Sequence, residues 1–473
     1  IQSKLLNLQG KAAESRDLAK RALQILPQAD AHVRSMLLAN LAAAYQQILD
    51  YDKAAETFKL IVRDAQATGN HVLEILGISG QAQMVLQQGR LHTGFEIAAE
   101  GIKRFETSNT DNPFSATLFG ETGQIYYQWH QLDRARSYLL RSAQVSGQSG
   151  YSDPEIYNHV MLSKMAQMEG DWDSAAQEMQ QAGDLMRRIP PAMIRENIIA
   201  QQIWVDLALD HLSLALEALK AEGFKFDGEL GFPGLASDLS EPVRPVTHPA
   251  GLLYNSALRL LLYQANKKHD LDITRRGLEM ATRVLDGELQ CQQLPVALET
   301  LLLRSQMYTA LGDDEASLAD LARAVELAEP ERFISIFVEE GPPIAEALAT
   351  LLKRNLIGHV GRGYVQDILA AFPQTQPSRE AAVSLSASRS LAAKPPDEAD
   401  ESTAPVEPLT ARELEILQLI AEGDSNRTIA EKLVITVSAV KKHTANIYGK
   451  LTVNSRTQAV ARARQHGFLP RNG

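Results

Sequence analysis

Up to Phe372 the chain repeats itself. Short polar turns at Gly10-Lys11, Asp50-Tyr51-Asp52, Gly89-Arg90-Leu91, Gln131-Leu132-Asp133, Gly170-Asp171-Trp172 and Gly312-Asp313-Asp314 each separate two stretches whose apolar residues recur at helical spacing. A small residue follows most of these turns at a fixed place: Ser15, Ala54, Gly94, Ala135, Ala175 and Ala215, at intervals of 39, 40, 41, 40 and 40. Small side chains there let the two helices of a hairpin approach closely. Phe58, Leu139 and Met179, about four residues further on, fill space against the next hairpin. Leu38, Leu41, Ala42 and Tyr45 form the matching stripe on a first helix. Hardly any β-branched alternation interrupts this pattern, so the expected class is all-α, a superhelix of helical hairpins.

The pattern resembles tetratricopeptide repeats, with a period nearer 40 than the usual ~34. Pro27 stands where that repeat often carries a proline at the close of a hairpin. Nothing in the array has the spacing of a catalytic or metal site; His130, His211 and His269 each stand alone within a helical pattern. Its expected role is therefore binding, in the groove of the superhelix, of a protein, a peptide or a small inducer. Two segments break the rhythm. Residues 222–250, with Gly and Pro throughout, read as a long surface connection, or as a ligand contact through Phe224, Phe226 or Arg244. Ala328 to Ile344 follows the last clear hairpin and re-enters helix through Leu352.

With 473 residues, the chain is too long for one core. The formal net charge of -11 conceals a division. From Leu409 onward ten Lys and Arg face five Asp and Glu, about +5, which leaves about -16 for everything before. Cys291, the single cysteine, excludes an internal disulfide and reads as a core thiol in a reducing compartment. There is no signal peptide or apolar stretch of membrane-spanning length, which places the protein in the cytoplasm with no membrane partner. The domains expected are a repeat region over 1–372, a disordered linker over 373–408 and a small basic domain over 409–473. The linker holds six prolines, no aromatic residue and an acidic run from Asp397 to Glu401. Its random-coil reach is about 30 to 36 Å. The acidic run is read as solvated, or alternatively as a pseudo-ligand for the basic domain.

In that last domain Thr410 and Glu413 form a capping box, and Leu414, Leu417, Ile420 and Ala421 one apolar face. Ser425 caps a second helix from Asn426 to Leu433, with Ile429, Ala430 and Leu433 inward. Thr436 caps a third, to about Leu451, with Val437, Val440, Ile447 and Leu451 buried and Ser438, Lys441, Lys442 and Ala445 on the outer face. Such a face fits a major groove: lysine reaches guanine or phosphate, and alanine approaches a thymine methyl. A fourth helix runs from Arg456 to His466.

The string Leu409-Thr410-x-Arg412-Glu413, Gly423-x-Ser425-Asn426-Arg427-x-Ile429-Ala430, Val440-Lys441-x-His443 and Lys450-Leu451-x-Val453, ending in Arg456, Ala459 and Val460, closely resembles the LuxR-type helix-turn-helix domain over about 60 residues. The segment from Ala328 to Ile344 resembles the end of the repeat domain in the large MalT-like, ATP-dependent members of that family. The resemblance implies that Lys441 and Lys442 lie near bases or phosphates, and that Asn426, Arg427, Ser438, Thr444, Lys450 and Arg456 are phosphate or structural positions. It implies dimerisation on DNA through Thr457, Val460 and Ala461. Ala439 departs from the family's usual threonine and removes a hydroxyl, which implies weaker affinity. His443 is expected to pack within the domain. The implied partners are double-stranded promoter DNA, RNA polymerase, and an inducer or protein in the repeat groove. The alternative is a protein-interaction scaffold with a vestigial DNA-binding domain. No catalytic residue, metal or cofactor is expected: Gly10-Lys11 is followed by Ala12 rather than Ser or Thr, lacks the upstream glycine of a phosphate-binding loop and lies in a helical-hairpin turn. The start without methionine reads as a cut, with the family's ATP-binding domain upstream, or alternatively as a family member that lacks that domain, so ATP is implied only for a longer parent.

Overall fold

The computed structural model describes residues 2–25, 31–108, 112–149, 152–188, 194–227, 230–235, 246–373, 409–421 and 426–433, and scattered positions from 440 to 468. Pro27, Arg244 and the linker from 374 to 408 lie outside them. The chain forms two compact units, Ile1–Gln376 and Pro377–Gly473. Secondary structure among the described residues is helical, apart from one isolated bridge between Lys225 and Gly231.

The first unit is a stack of hairpins: α1 (Gln2–Leu8) with α2 (Ala12–Ile25), α3 (Ala31–Gln47) with α4 (Tyr51–Thr68), α5 (His71–Gln87) with α6 (Leu91–Ser108), and α7 (Ser115–Gln128) with α8 (Leu132–Ser149). There follow α9 (Ser152–Met168) with α10 (Trp172–Arg188), α11 (Arg195–Ala208) with α12 (Leu212–Ala221), α13 (His248–Lys268) with α14 (Leu271–Gln290), and α15 (Leu294–Leu311) with α16 (Asp314–Ala328). Each hairpin turns on one left-handed residue two places before its second helix: Gly10, Leu49, Gly89, His130, Gly170, Asp210, His269 and Gly312. That residue ends one helix, and the next residue starts another. Asp50, Asp171, Asp270 and Asp313 cap the new helix by accepting from amides in its first turn.

The small residue seen in the sequence is the fourth of each second helix, and it is buried against the first helix. At Gly94 a Cβ would lie 2.5 Å from Leu86 Cδ2, so a larger residue there requires the Leu86 side chain to shift. The series continues beyond Ala215 with Thr274 and Ser317, both 2% exposed. Ser317 hydrogen-bonds Ser305 across its hairpin, as Ser15 does Ser3. Sequence reading lost the register at this point because residues 222–250 stretch one interval. They are not a plain surface connection: Phe224 and Phe232 are buried with Tyr254, whose hydroxyl donates to the Pro233 carbonyl at 2.5 Å. Each aromatic ring that packs away from water removes a large apolar area, which favours folding this part of the segment onto α13. Cys291 is corrected too, since it caps the C-terminus of α14 and is only half-buried.

After α16 the chain turns back into the array through a 3-10 turn (Glu329–Glu331), α17 (Ser335–Glu339), α18 (Pro342–Lys353) and α19 (Arg362–Ala371). The Ile334 amide donates to the Gln128 carbonyl at 2.8 Å, Trp129 Nε1 to the Glu331 carbonyl at 3.0 Å, and the Ser335 hydroxyl to the Tyr127 carbonyl. These contacts join segments about 200 residues apart in sequence. Two adjacent carboxylates then hold both arms of the array. Glu339 accepts from Tyr127 Oη at 2.7 Å and Lys164 Nζ at 3.0 Å, while Glu340 accepts from Arg259 at 2.7 and 3.0 Å and from Gln306 at 2.8 Å. Arg259 also reaches Glu299 at 2.7 Å and stacks 3.4 Å from the Trp204 ring centre.

Two outcomes follow for stability. Gly170 has φ 72° and open space where a Cβ would stand, so Gly170→Ala should cost about 1 kcal/mol from backbone strain alone. Urea unfolding of the variant checks this through its midpoint. Arg259→Met leaves Glu299 and Glu340 buried without their cation and should cost about 3–5 kcal/mol, measured in the same way.

Candidate functional site

Among the described residues two places have the polar chemistry of a site, one in each unit. In the C-terminal unit, Ile416, Leu417, Ile420, Ile429, Val440, Ile447 and Ala463 pack into one core with Leu409 at its edge. Helices Ala411–Ala421 and Asn426–Leu433 contribute the first four of these. The capping box forms as its residue types require: the Thr410 amide donates to Glu413 at 2.8 Å, and the Glu413 amide to Thr410 Oγ1 at 3.3 Å. Arg412 ties the two helices by donating to the Leu433 carbonyl at 2.8 Å.

Two of the residues expected to meet DNA have described side chains. Lys450 Nζ lies 2.7 Å from Glu413, whose side chain is 4% exposed, so this lysine holds the domain together. Burial pushes the Glu413 carboxyl up, but bonds from Lys450 and Thr410 outweigh it and hold the group below the ordinary carboxylate range. The Thr444 hydroxyl donates to the Val440 carbonyl at 2.9 Å along its own helix. His443 is half-buried beside it. Asn426 and Arg427 open the second helix, with their side chains outside the described residues. Ser438, Ala439, Lys441, Lys442, Ala445, Arg456, Thr457, Val460 and Ala461 lie outside them altogether.

The repeat unit holds a cavity of about 90 Å³ where the returning segment meets the array. First helices of five consecutive hairpins line it, α7, α9, α11, α13 and α15, and α17 completes the wall. A stack of hairpins turns its first helices to the inside of its curve, so polar side chains there share one enclosed space. Lys164, Trp204, Arg259, Glu299, Glu339 and Glu340 form the charged and aromatic part. Burial raises the Glu299 carboxyl above its ordinary range, and the nearby Arg259 and Lys164 only oppose this. Burial, with Lys164 nearby, drives the His248 imidazole down to about 4, so it is neutral at pH 7. Among the described residues no cluster of His, Cys, Asp and Glu could hold a metal ion.

Sequence reading assigned no residue to this lining, although the register contained a signal. Gln124, Lys164 and Trp204 stand 40 residues apart, and so do Arg259, Glu299 and Glu339. Gln124, Lys164 and Trp204 each stand six residues before the left-handed turn residue of their hairpins, so one place on successive first helices recurs on the lining.

The description "MalT-like TPR region" matches residues 1–354, and "Bacterial regulatory proteins, luxR family" matches 407–463. HTH-type transcriptional regulator MalT of Serratia proteamaculans is 23% identical over 462 residues, 96% of this chain and 48% of that protein. MalT of Vibrio cholerae is 23% identical over 393 residues, 81% and 40%. Transcriptional regulatory protein LiaR of Bacillus subtilis is 36% identical over 149 residues, 30% of this chain and 66% of that one. The chain thus spans less than half the length of the MalT relatives. No helix among the described residues is long and apolar enough to cross a membrane. The turns, the close contacts and the returning segment as far as α18 fall within the matched repeat region, and the capping box within the luxR match. The chain therefore belongs to the MalT-like TPR family, and its C-terminal unit carries a domain that matches the luxR family of bacterial regulatory proteins.

Proposed function

We propose that the C-terminal unit binds promoter DNA in the cytoplasm and that the repeat unit receives the signal that governs it, a small ligand or a protein. The observation that carries the DNA-binding reading is the luxR-family match over 407–463 around a capped core that buries Val440 and Ile447. With those two inward, helical spacing puts Lys441, Lys442, Ser438 and Ala445 on the opposite side of a continuous third helix. Lys441 and Lys442 then face the major groove, and Asn426, Arg427, Thr444 and Arg456 approach phosphates. Lys450 supports the fold through Glu413. Two copies pair through Thr457, Val460 and Ala461 on half-sites about one helical turn, roughly 34 Å, apart. Contact with RNA polymerase belongs to the same reading.

The signalling reading rests on the cavity. Its wall includes Ile336, Glu339 and Glu340 of α17, so anything bound there touches the segment through which the chain leaves the array. A bound ligand shifts an equilibrium only through such differential contact.

Binding should be strongly salt-dependent, because phosphate contacts release counterions. Changing both Lys441 and Lys442 to Ala in the full chain should weaken binding to a duplex selected from a random pool by roughly ten- to a hundredfold, and flatten the salt slope. Gel shift at several salt concentrations checks this. Unchanged affinity in a variant with an unchanged melting curve rejects the assignment of those lysines to DNA.

A further inference from the structure

The partners of the groups around the axial cavity do not balance. Three carboxylates line it, Glu299, Glu339 and Glu340, against two cations, Lys164 and Arg259. Lys164 is in direct contact with Glu339 and reaches Glu299 only through its field, so Arg259 is divided between Glu299 and Glu340. Asn255 adds only a long 3.3 Å bond to Glu299. One negative charge is thus left without a full partner in a buried place, where an unpaired charge is costly.

A second observation is independent of charge. Gln201, 1% exposed, donates through Nε2 to Ser163 at 3.1 Å and Gln167 at 3.0 Å, which fixes its amide orientation and leaves Oε1 without a partner. Gln128 Oε1 and His248 Nδ1, on the same lining, are also buried and unpartnered. The two amide oxygens accept only, and the neutral imidazole accepts at Nδ1 in its Nε2–H tautomer. Buried acceptors without partners in a roomy polar cavity call for an occupant that brings donors.

We propose that this cavity binds a small organic cation, an amine whose N–H groups satisfy Gln201, Gln128 and His248 while its charge pairs with Glu299. Trp204, Tyr127 and Tyr157 form an aromatic wall that favours cations over anions. A neutral polyol would satisfy the acceptors but leave the carboxylate as it is. The inference deepens the sensing role proposed above and depends on that role only for its effect on DNA.

The probe is 1,4-diaminobutane, tested on the full chain by calorimetry and by tryptophan emission, with 1,4-butanediol as the neutral isostere. The diamine is expected to bind saturably and to change Trp204 emission, a change absent in Trp204→Phe. Glu299→Gln should weaken it about tenfold or more, the loss of one buried ion pair. Gln128→Ala, at a half-buried position, should weaken it less and provides a second variant if Glu299→Gln does not fold. Absence of saturable diamine binding, equal binding of the diol, or full retention in both folded variants overturns the proposal. Diamine binding that leaves affinity for the selected duplex unchanged upholds the ligand class and rejects the sensing role.

Discussion

The arrangement of the repeat unit depends on where one guanidinium goes. Arg259 lies against Trp204 on one side and between Glu299 and Glu340 on the other, with 12% of its side chain exposed. It therefore connects α13, α15 and α11 to the segment that returns from the end of the array. Burying such a group is unfavourable unless its partners are well placed, and here both are at 2.7 Å. Together with Glu339, which joins Tyr127 and Lys164, it makes the returning segment part of the interior. The largest core cluster reflects this, running from Leu86 through Met168 and on to Phe372.

Around this polar axis the hairpins are built by repetition. A left-handed turn residue, an acidic cap where one is present, and a small fourth residue position two helices in close contact, and the next hairpin repeats the arrangement. A stack made this way is stabilised by neighbour contacts and tolerates variation at single turns. Leu49, His130 and Asp210 show the tolerance, because they adopt a conformation that glycine holds elsewhere. The polar axis has no such redundancy. Each of its charged groups meets a particular partner from another hairpin.

The hairpin register was legible in the sequence because small residues at 40-residue intervals reflect close contact, a local requirement that recurs. Thr274 and Ser317 escaped because they follow an interval stretched by residues 222–250. The capping box was legible in the same sense, since Thr410 and Glu413 meet three residues apart. The structural choice for Lys450 was not, because its partner is 37 residues away. The axial cavity was hardest to read. It arises where α17 meets α7, α9 and α15, and nothing in the sequence near Arg259 names Glu340 as its partner. For the loop aromatics, Gly and Pro content pointed to the surface, while ring burial against Tyr254 decided the outcome.

If the returning segment is held by the polar axis, Arg259 and Glu340 must act as one unit. A double-mutant cycle on Arg259→Met and Glu340→Gln, read from urea unfolding of the full chain, measures this directly. The structure predicts a coupling of about 1.5 kcal/mol or more, since each side chain loses its main partner when the other is changed. Additive effects, within about 0.5 kcal/mol, would contradict it.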